Sequence, residues 1–115
     1  MTPMNERIQP RRETTMTRAR IEIPQAEIEA FCRRHHIARL ALFGSVLRDD
    51  FGPESDVDVL VEFEPGHVPG LEFVSMADEL EEIVGRRVDF LTPSMLSRWM
   101  RPQVMNEARL LYDAA

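Results

Sequence analysis

The chain has 115 residues, 43% of them hydrophobic and 30% charged, with a net charge of −6 and a single cysteine. That length suits one domain with a modest core. No stretch approaches the roughly 20 apolar residues of a membrane span, the N-terminus lacks the apolar run of a signal peptide, and a lone Cys32 leaves no internal disulfide, so a cytoplasmic location is expected.

Residues 1–20 carry five arginines against two glutamates, a net of +3, which leaves −9 on the other 95 residues. An acidic body argues against a broad nucleic-acid footprint, which needs clustered positive charge; only the arm keeps a minor nucleic-acid reading open. All 14 basic residues are arginine.

Residues 1–23 mix prolines, threonines and arginines without periodicity and read as a flexible arm, leaving residues 24–115 as the domain. Pro24 suits a first helical turn, and a helix follows from Gln25 to about His36 with Ile28, Phe31 and Cys32 on one stripe. Ala38–Phe43 reads as the first strand, ended by Gly44, with a helical turn over Ser45–Asp50. Gly52 and Pro53 precede a second strand, Asp56–Glu64. Pro65–Gly70 is a loop that leaves His67 alone.

Leu71–Val84 returns to helical period, with Leu71, Val74, Ala77, Leu80 and Val84 expected inward and Asp78, Glu79, Glu81 and Glu82 facing solvent; Gly85 is the stop. Arg87–Leu91 is a third strand carrying Asp89, Thr92-Pro93-Ser94 starts a short helix, and Pro102 opens a final helix with Val104, Met105, Ala108, Leu111 and Tyr112 inward. The expected class is α/β (α+β), a small mixed sheet flanked by helices. A helical crossover between the second and third strands permits parallel pairing, which would bring Asp89 beside Asp56 and Asp58.

The chemistry centres on Gly44-Ser45 and Asp56-Val57-Asp58. Side chains at i and i+2 of a strand share a face, so Asp56 and Asp58 project together while Val57, Val59, Val61 and Phe63 fill the other face. Two carboxylates on one face are costly unless a cation or water compensates them, which points to a hard-metal site. Mg²⁺ takes carboxylates, waters and substrate phosphates. A glycine past a strand end lets backbone N–H groups approach phosphate, Ser45 adds a hydroxyl, and Arg48 is placed either to reach a phosphate or to pair with Asp49 or Asp50.

Gly44-Ser45, ten intervening residues, then Asp56-Val57-Asp58 resembles the signature of the polymerase-β-like nucleotidyltransferases. Gly-Ser-x-x-Arg followed by Ser-Asp-x-Asp-x-Leu-Val-Glu-Phe is similar to the minimal nucleotidyltransferase (MNT) subgroup. The likeness runs from about Ile28 to Tyr112 and omits the arm. It implies a mixed sheet flanked by helices, Mg²⁺ on Asp56 and Asp58, and a third aspartate on a later strand, which falls on Asp89 and would also draw the proton from the attacking hydroxyl. It implies ATP as co-substrate, with Gly44, Ser45 and Arg48 toward it. It implies, finally, an antitoxin that transfers AMP to a tyrosine of a HEPN ribonuclease toxin, in a hetero-oligomer with that partner. Leu47 and Asp49 flank Arg48 where many relatives have alanine and glycine, so a repacked turn is expected.

Two other functions fit the same residues: a non-catalytic antitoxin that neutralises by binding alone, and a nucleotidyltransferase acting on a small-molecule hydroxyl. Among the remaining candidates, His35 and His36 are adjacent on a helix end and share no face, which argues against a two-histidine metal site. Cys32 reads as a core thiol, and Glu62 as structural or solvent-facing. Trp99 belongs either to a partner surface or to the edge of the core.

Overall fold

The computed structural model describes residues 21–48 and 51–114. Helix α1 (Gln25–Arg34) and strands β1 (Ile37–Phe43) and β2 (Val57–Phe63) come first. Helix α2 (Glu72–Val84), strand β3 (Val88–Leu91), helix α3 (Arg101–Glu107) and strand β4 (Arg109–Asp113) come after them. Short 3-10 turns occupy Gly44–Leu47 and Pro93–Met95. The strands form one sheet in the order β3-β2-β1-β4. β1 pairs antiparallel with β2 and β4, and β2 pairs parallel with β3, so the mixed α/β class expected from the sequence is the one observed.

Alternation along the strands sorts side chains into two layers. Val57, Val59 and Val61 join Leu40, Leu42 and Phe90 under Ile28, Phe31 and Cys32 of α1 and Met76 and Leu80 of α2. On the other face Ala41, Phe43 and Leu60 pack under Leu96 and under Val104, Met105 and Ala108 at α3. β1 keeps both Ile37 and Leu40 in the first layer because its pairing with β2 shifts between Ile37 and Arg39, a bulge that resets the alternation. Gly85 stops α2 with φ +75°, a left-handed turn that its missing Cβ permits.

Four expectations change. Arg109–Asp113 is a strand and not the end of a helix: α3 stops at Glu107, Ala108 turns to φ −59°, ψ 144°, and the chain pairs with β1, which would otherwise be an open edge. Val104, Met105, Ala108 and Leu111 are buried as expected, but on two elements. In α2 the inward stripe is Phe73, Met76, Leu80 and Val84, while Leu71 is 95% and Val74 68% exposed. Two acids of that helix also have partners: Glu79 pairs with Arg34 and His35 at the end of α1, and Glu81 accepts the Val88 N–H at 3.0 Å. At the N-terminal end, Ile23 is buried and Ile21 packs on the core, so packed structure begins before Pro24. The expected arm over residues 1–20 lies outside the described residues.

The phase of α2 is directly measurable. By chemical denaturation Leu80→Ala costs about 2–5 kcal/mol, the range for emptying a filled core position, while Leu71→Ala stays within about 0.5 kcal/mol of the parent.

Candidate active site

β1 delivers the chain to one end of the sheet, where Phe43 pairs with Asp58 of β2. Gly44 then leaves the strand with φ +78°. A side chain there would be strained, and its Cβ would overlap Asp58 Oδ2. Glycine is therefore required twice over, by the turn and by the carboxylate lying against its backbone. Ser45 comes next in the 3-10 turn, and the Arg48 N–H closes that turn on the Ser45 carbonyl at 2.8 Å.

The parallel register between β2 and β3 sets Asp58 directly beside Asp89. Neighbouring strands run about 4.8 Å apart, so the two carboxylates occupy adjacent positions on the same face. Asp56 precedes β2 and is half exposed, with its Oδ1 3.4 Å from Arg87 Nε. The connection between Gly44 and Asp56 is held from β3's side: Arg86 Nη2 donates to the carbonyls of Gly52 and Ser55 at 2.8 Å each, and the guanidinium sits 4.5 Å from the Phe51 ring centroid. The Val57 N–H donates to the Arg87 carbonyl at 2.8 Å.

Burial first, then the neighbouring Asp89 and Asp56 charges, push Asp58 up from 3.8 to about 6, with Arg48 acting in the opposite sense. Asp89, Asp56 and Arg48 are thus each within electrostatic reach of Asp58. The cluster is short of positive charge, its donors are all carboxylate oxygens, and Asp56 and Asp89 are open to solvent. Such a set fits a hard divalent cation of the Mg²⁺ kind.

The model of the nucleotidyltransferase domain family matches residues 26–112. The chain belongs to that family. The domain is 35% identical over 75 residues to the protein adenylyltransferase MntA of Thermococcus cleftensis, a match covering 64% of this chain and 74% of that protein. It is 37% identical over 75 residues to the Methanocaldococcus jannaschii protein named "Putative protein adenylyltransferase MJ0435", covering 65% and 80% of the two chains. Its fold also matches the solved complex of a tri-AMPylated Shewanella oneidensis HEPN toxin with its MNT antitoxin, with a TM-score of 0.56 at 20% identity over 78% of this chain and 70% of that one.

Of the residues singled out in the sequence, the nucleotidyltransferase domain gathers Gly44, Ser45, Asp56, Asp58 and Asp89 at one end of the sheet. Arg48 is exposed and acts on Asp58, while Asp49 and Asp50 lie outside the described residues. Glu62 is structural, paired with Arg39 at 3.3 Å with both side chains largely buried. Cys32 is a core thiol that burial pushes up to about 12, too high for a nucleophile. Trp99 is 85% exposed and belongs to no core edge. Sequence reasoning missed Arg86 and Arg87. Their place at the entry to β3, shortly before Asp89, is the signal that could have found them.

The raised Asp58 carboxyl costs stability when ionised. Its contribution is fully present below about pH 4 and lost as pH rises through about 6. Asp58→Asn therefore raises the melting temperature of the metal-free protein at pH 7, with the gain shrinking toward zero near pH 4, as read by scanning calorimetry across that range.

Proposed function

We propose that this domain transfers AMP from ATP to a tyrosine hydroxyl of a HEPN-type toxin and so acts as its antitoxin, in a hetero-oligomer with that partner. The observation that carries the reading is the register of Asp58 beside Asp89, with Gly44 stripped of a side chain to admit the Asp58 carboxylate. The two curated relatives, both named as protein adenylyltransferases, support the type of transfer. The solved neighbour with an AMPylated HEPN toxin supports the class of acceptor.

In this reading Asp56, Asp58 and Asp89 would hold Mg²⁺, which would supply the positive charge that offsets the phosphates. The Gly44–Ser45 turn presents a backbone N–H and a hydroxyl to the triphosphate, and Arg48 faces the departing pyrophosphate. The acceptor oxygen forms its bond to the α-phosphorus as the bond to the β-phosphate bridging oxygen breaks. Pyrophosphate leaves, and the acceptor's proton passes to the Asp89 carboxylate. Asp89 suits that role because it is exposed at the strand start, whereas Asp58 is enclosed by Gly44. Arg86 contributes by fixing the connection that presents Asp56. The chain supplies position and charge, and no covalent intermediate with the protein is needed.

The test incubates the full chain with ATP, Mg²⁺ and a HEPN-type partner sought in the neighbouring reading frame, then weighs that partner by intact-mass spectrometry. The expected result is a gain of one or more AMP units on tyrosine, with Asp58→Asn slowing transfer by at least about a hundredfold. No gain on a partner with demonstrated ribonuclease activity sinks the protein-acceptor reading. Undiminished neutralisation by an Asp56→Asn/Asp58→Asn double variant identifies an antitoxin that works by binding alone.

A further inference from the structure

The other end of β2 carries a second cluster of chemistry-bearing side chains, formed by residues distant in the chain. His36 lies just past α1, Glu64 just past β2, and His67 three residues further on. Their imidazole nitrogens and carboxylate oxygen all lie within 4.8 Å of one another. The two rings stack with centroids 4.0 Å apart and planes 16° from parallel, and His36 Nδ1 is 3.9 Å from Glu64 Oε1.

The backbone is arranged to make this meeting. Among the described residues His36 is the only non-glycine with positive φ, at +56°, a conformation that L side chains adopt reluctantly. The Glu64 N–H donates to the His36 carbonyl at 2.9 Å, tying the end of β2 to that turn. Glu64–His67 is then a hydrogen-bonded reverse turn, closed by the His67 N–H on the Glu64 carbonyl at 3.0 Å. Pro65 and Gly66 hold its centre, and Gly66 has φ +83°, as a type II turn requires. The turn folds His67 back over His36.

We infer that His36, Glu64 and His67 form a transition-metal site, of the Zn²⁺ class, that fastens the Glu64–Leu71 segment to the start of β1. Two imidazoles and one carboxylate are a zinc donor set, with water in the fourth position, and imidazole disfavours Mg²⁺. Zinc bonds of about 2.0–2.2 Å in a tetrahedron set donors about 3.4 Å apart. The donors here need to close by little more than about 1 Å to meet that geometry, and one of the two exposed imidazoles has to turn out of the stack so that both in-plane lone pairs face one ion.

The site lies far from the aspartates. Glu64 lies six positions along the chain from Asp58, about 20 Å of extended strand, so the inference stands independently of the transferase reading. Its consequence falls on the segment after His67. Val68, 84% exposed, and Leu71, 95% exposed, line a groove of about 870 Å³ with Phe63 and Phe73, and none of the three aspartates takes part. Metal on His67 would hold that wall of the groove in place.

The test titrates tag-free full-length protein with Zn²⁺ by calorimetry, and with Co²⁺ by visible absorption. An Asp56→Asn/Asp58→Asn background removes two of the three competing carboxylates. One ion per chain is expected, with intense tetrahedral Co²⁺ bands that millimolar Mg²⁺ leaves unchanged. His67→Ala, and separately His36→Asn, which tolerates the positive φ, should each weaken Zn²⁺ binding at least about tenfold while keeping a folded circular dichroism spectrum. In the parent background Zn²⁺ should slow hydrogen exchange of the amides between Gly66 and Leu71. Absence of stoichiometric Zn²⁺ binding, or equal affinity in the histidine variants, overturns the site; unchanged exchange with metal bound overturns the fastening.

Discussion

Everything at the candidate active site depends on one unfavourable contact, the parallel pairing that sets Asp58 beside Asp89. Two carboxylates on adjacent strand positions repel, and burial of Asp58 against Gly44 denies it the water that would screen the repulsion. The sheet tolerates this because the opposite sides of the same strands are packed into the core, where Val57, Val59 and Phe90 lie under α1 and α2. β2 thus carries the charged pair at its start and buried residues on both faces beyond it, Leu60 following Asp58 on the same side. A cation bound at the pair would turn that repulsion into affinity.

Position at that end of the sheet is set by elements on three sides. Gly44 closes one side by having no side chain, β3 supplies the second, and Arg86 ties down the connection entering β2 through carbonyls of Gly52 and Ser55. An arginine suits that last task because its planar fork can meet several carbonyls while its face rests on Phe51. Asp56 and Arg87 add a more exposed pairing whose contribution is small in water.

How much of this was legible in the sequence depends on how local each signal is. Gly44-Ser45 and the alternating Asp56 and Asp58 declare themselves within a few residues, because strand period and turn chemistry are properties of adjacent positions. Asp89 needed only the further step that a helical crossover permits parallel pairing. β4 was hidden because Ala108, Leu111 and Tyr112 continue a helical spacing that begins at Val104, and only the open edge of β1 decides that the chain extends there. In α2 the sequence holds two competing apolar stripes, one through Leu71 and Val74 and one through Phe73, Met76 and Leu80. Helical period cannot choose between them; contact with Phe63 and Phe90 does. The His36–Glu64–His67 cluster was invisible for a stronger reason, since His36 is distant in the chain from the Glu64–His67 turn and meets it only through a positive φ that no local pattern announces.

That turn changes how the two ends of β2 relate. At its start, backbone openness at Gly44 admits a carboxylate; at its end, a backbone conformation that favours glycine is given to a histidine and so aims a ring. Glycine at position 36 would relieve the strain and lose the imidazole, so retaining histidine there spends conformational energy on a side chain. The stacked neighbour His67 and the backbone tie from Glu64 set that ring against the turn that follows β2. One strand therefore anchors two clusters of different donor chemistry: carboxylate oxygens at its start, and two imidazoles with one carboxylate at its end.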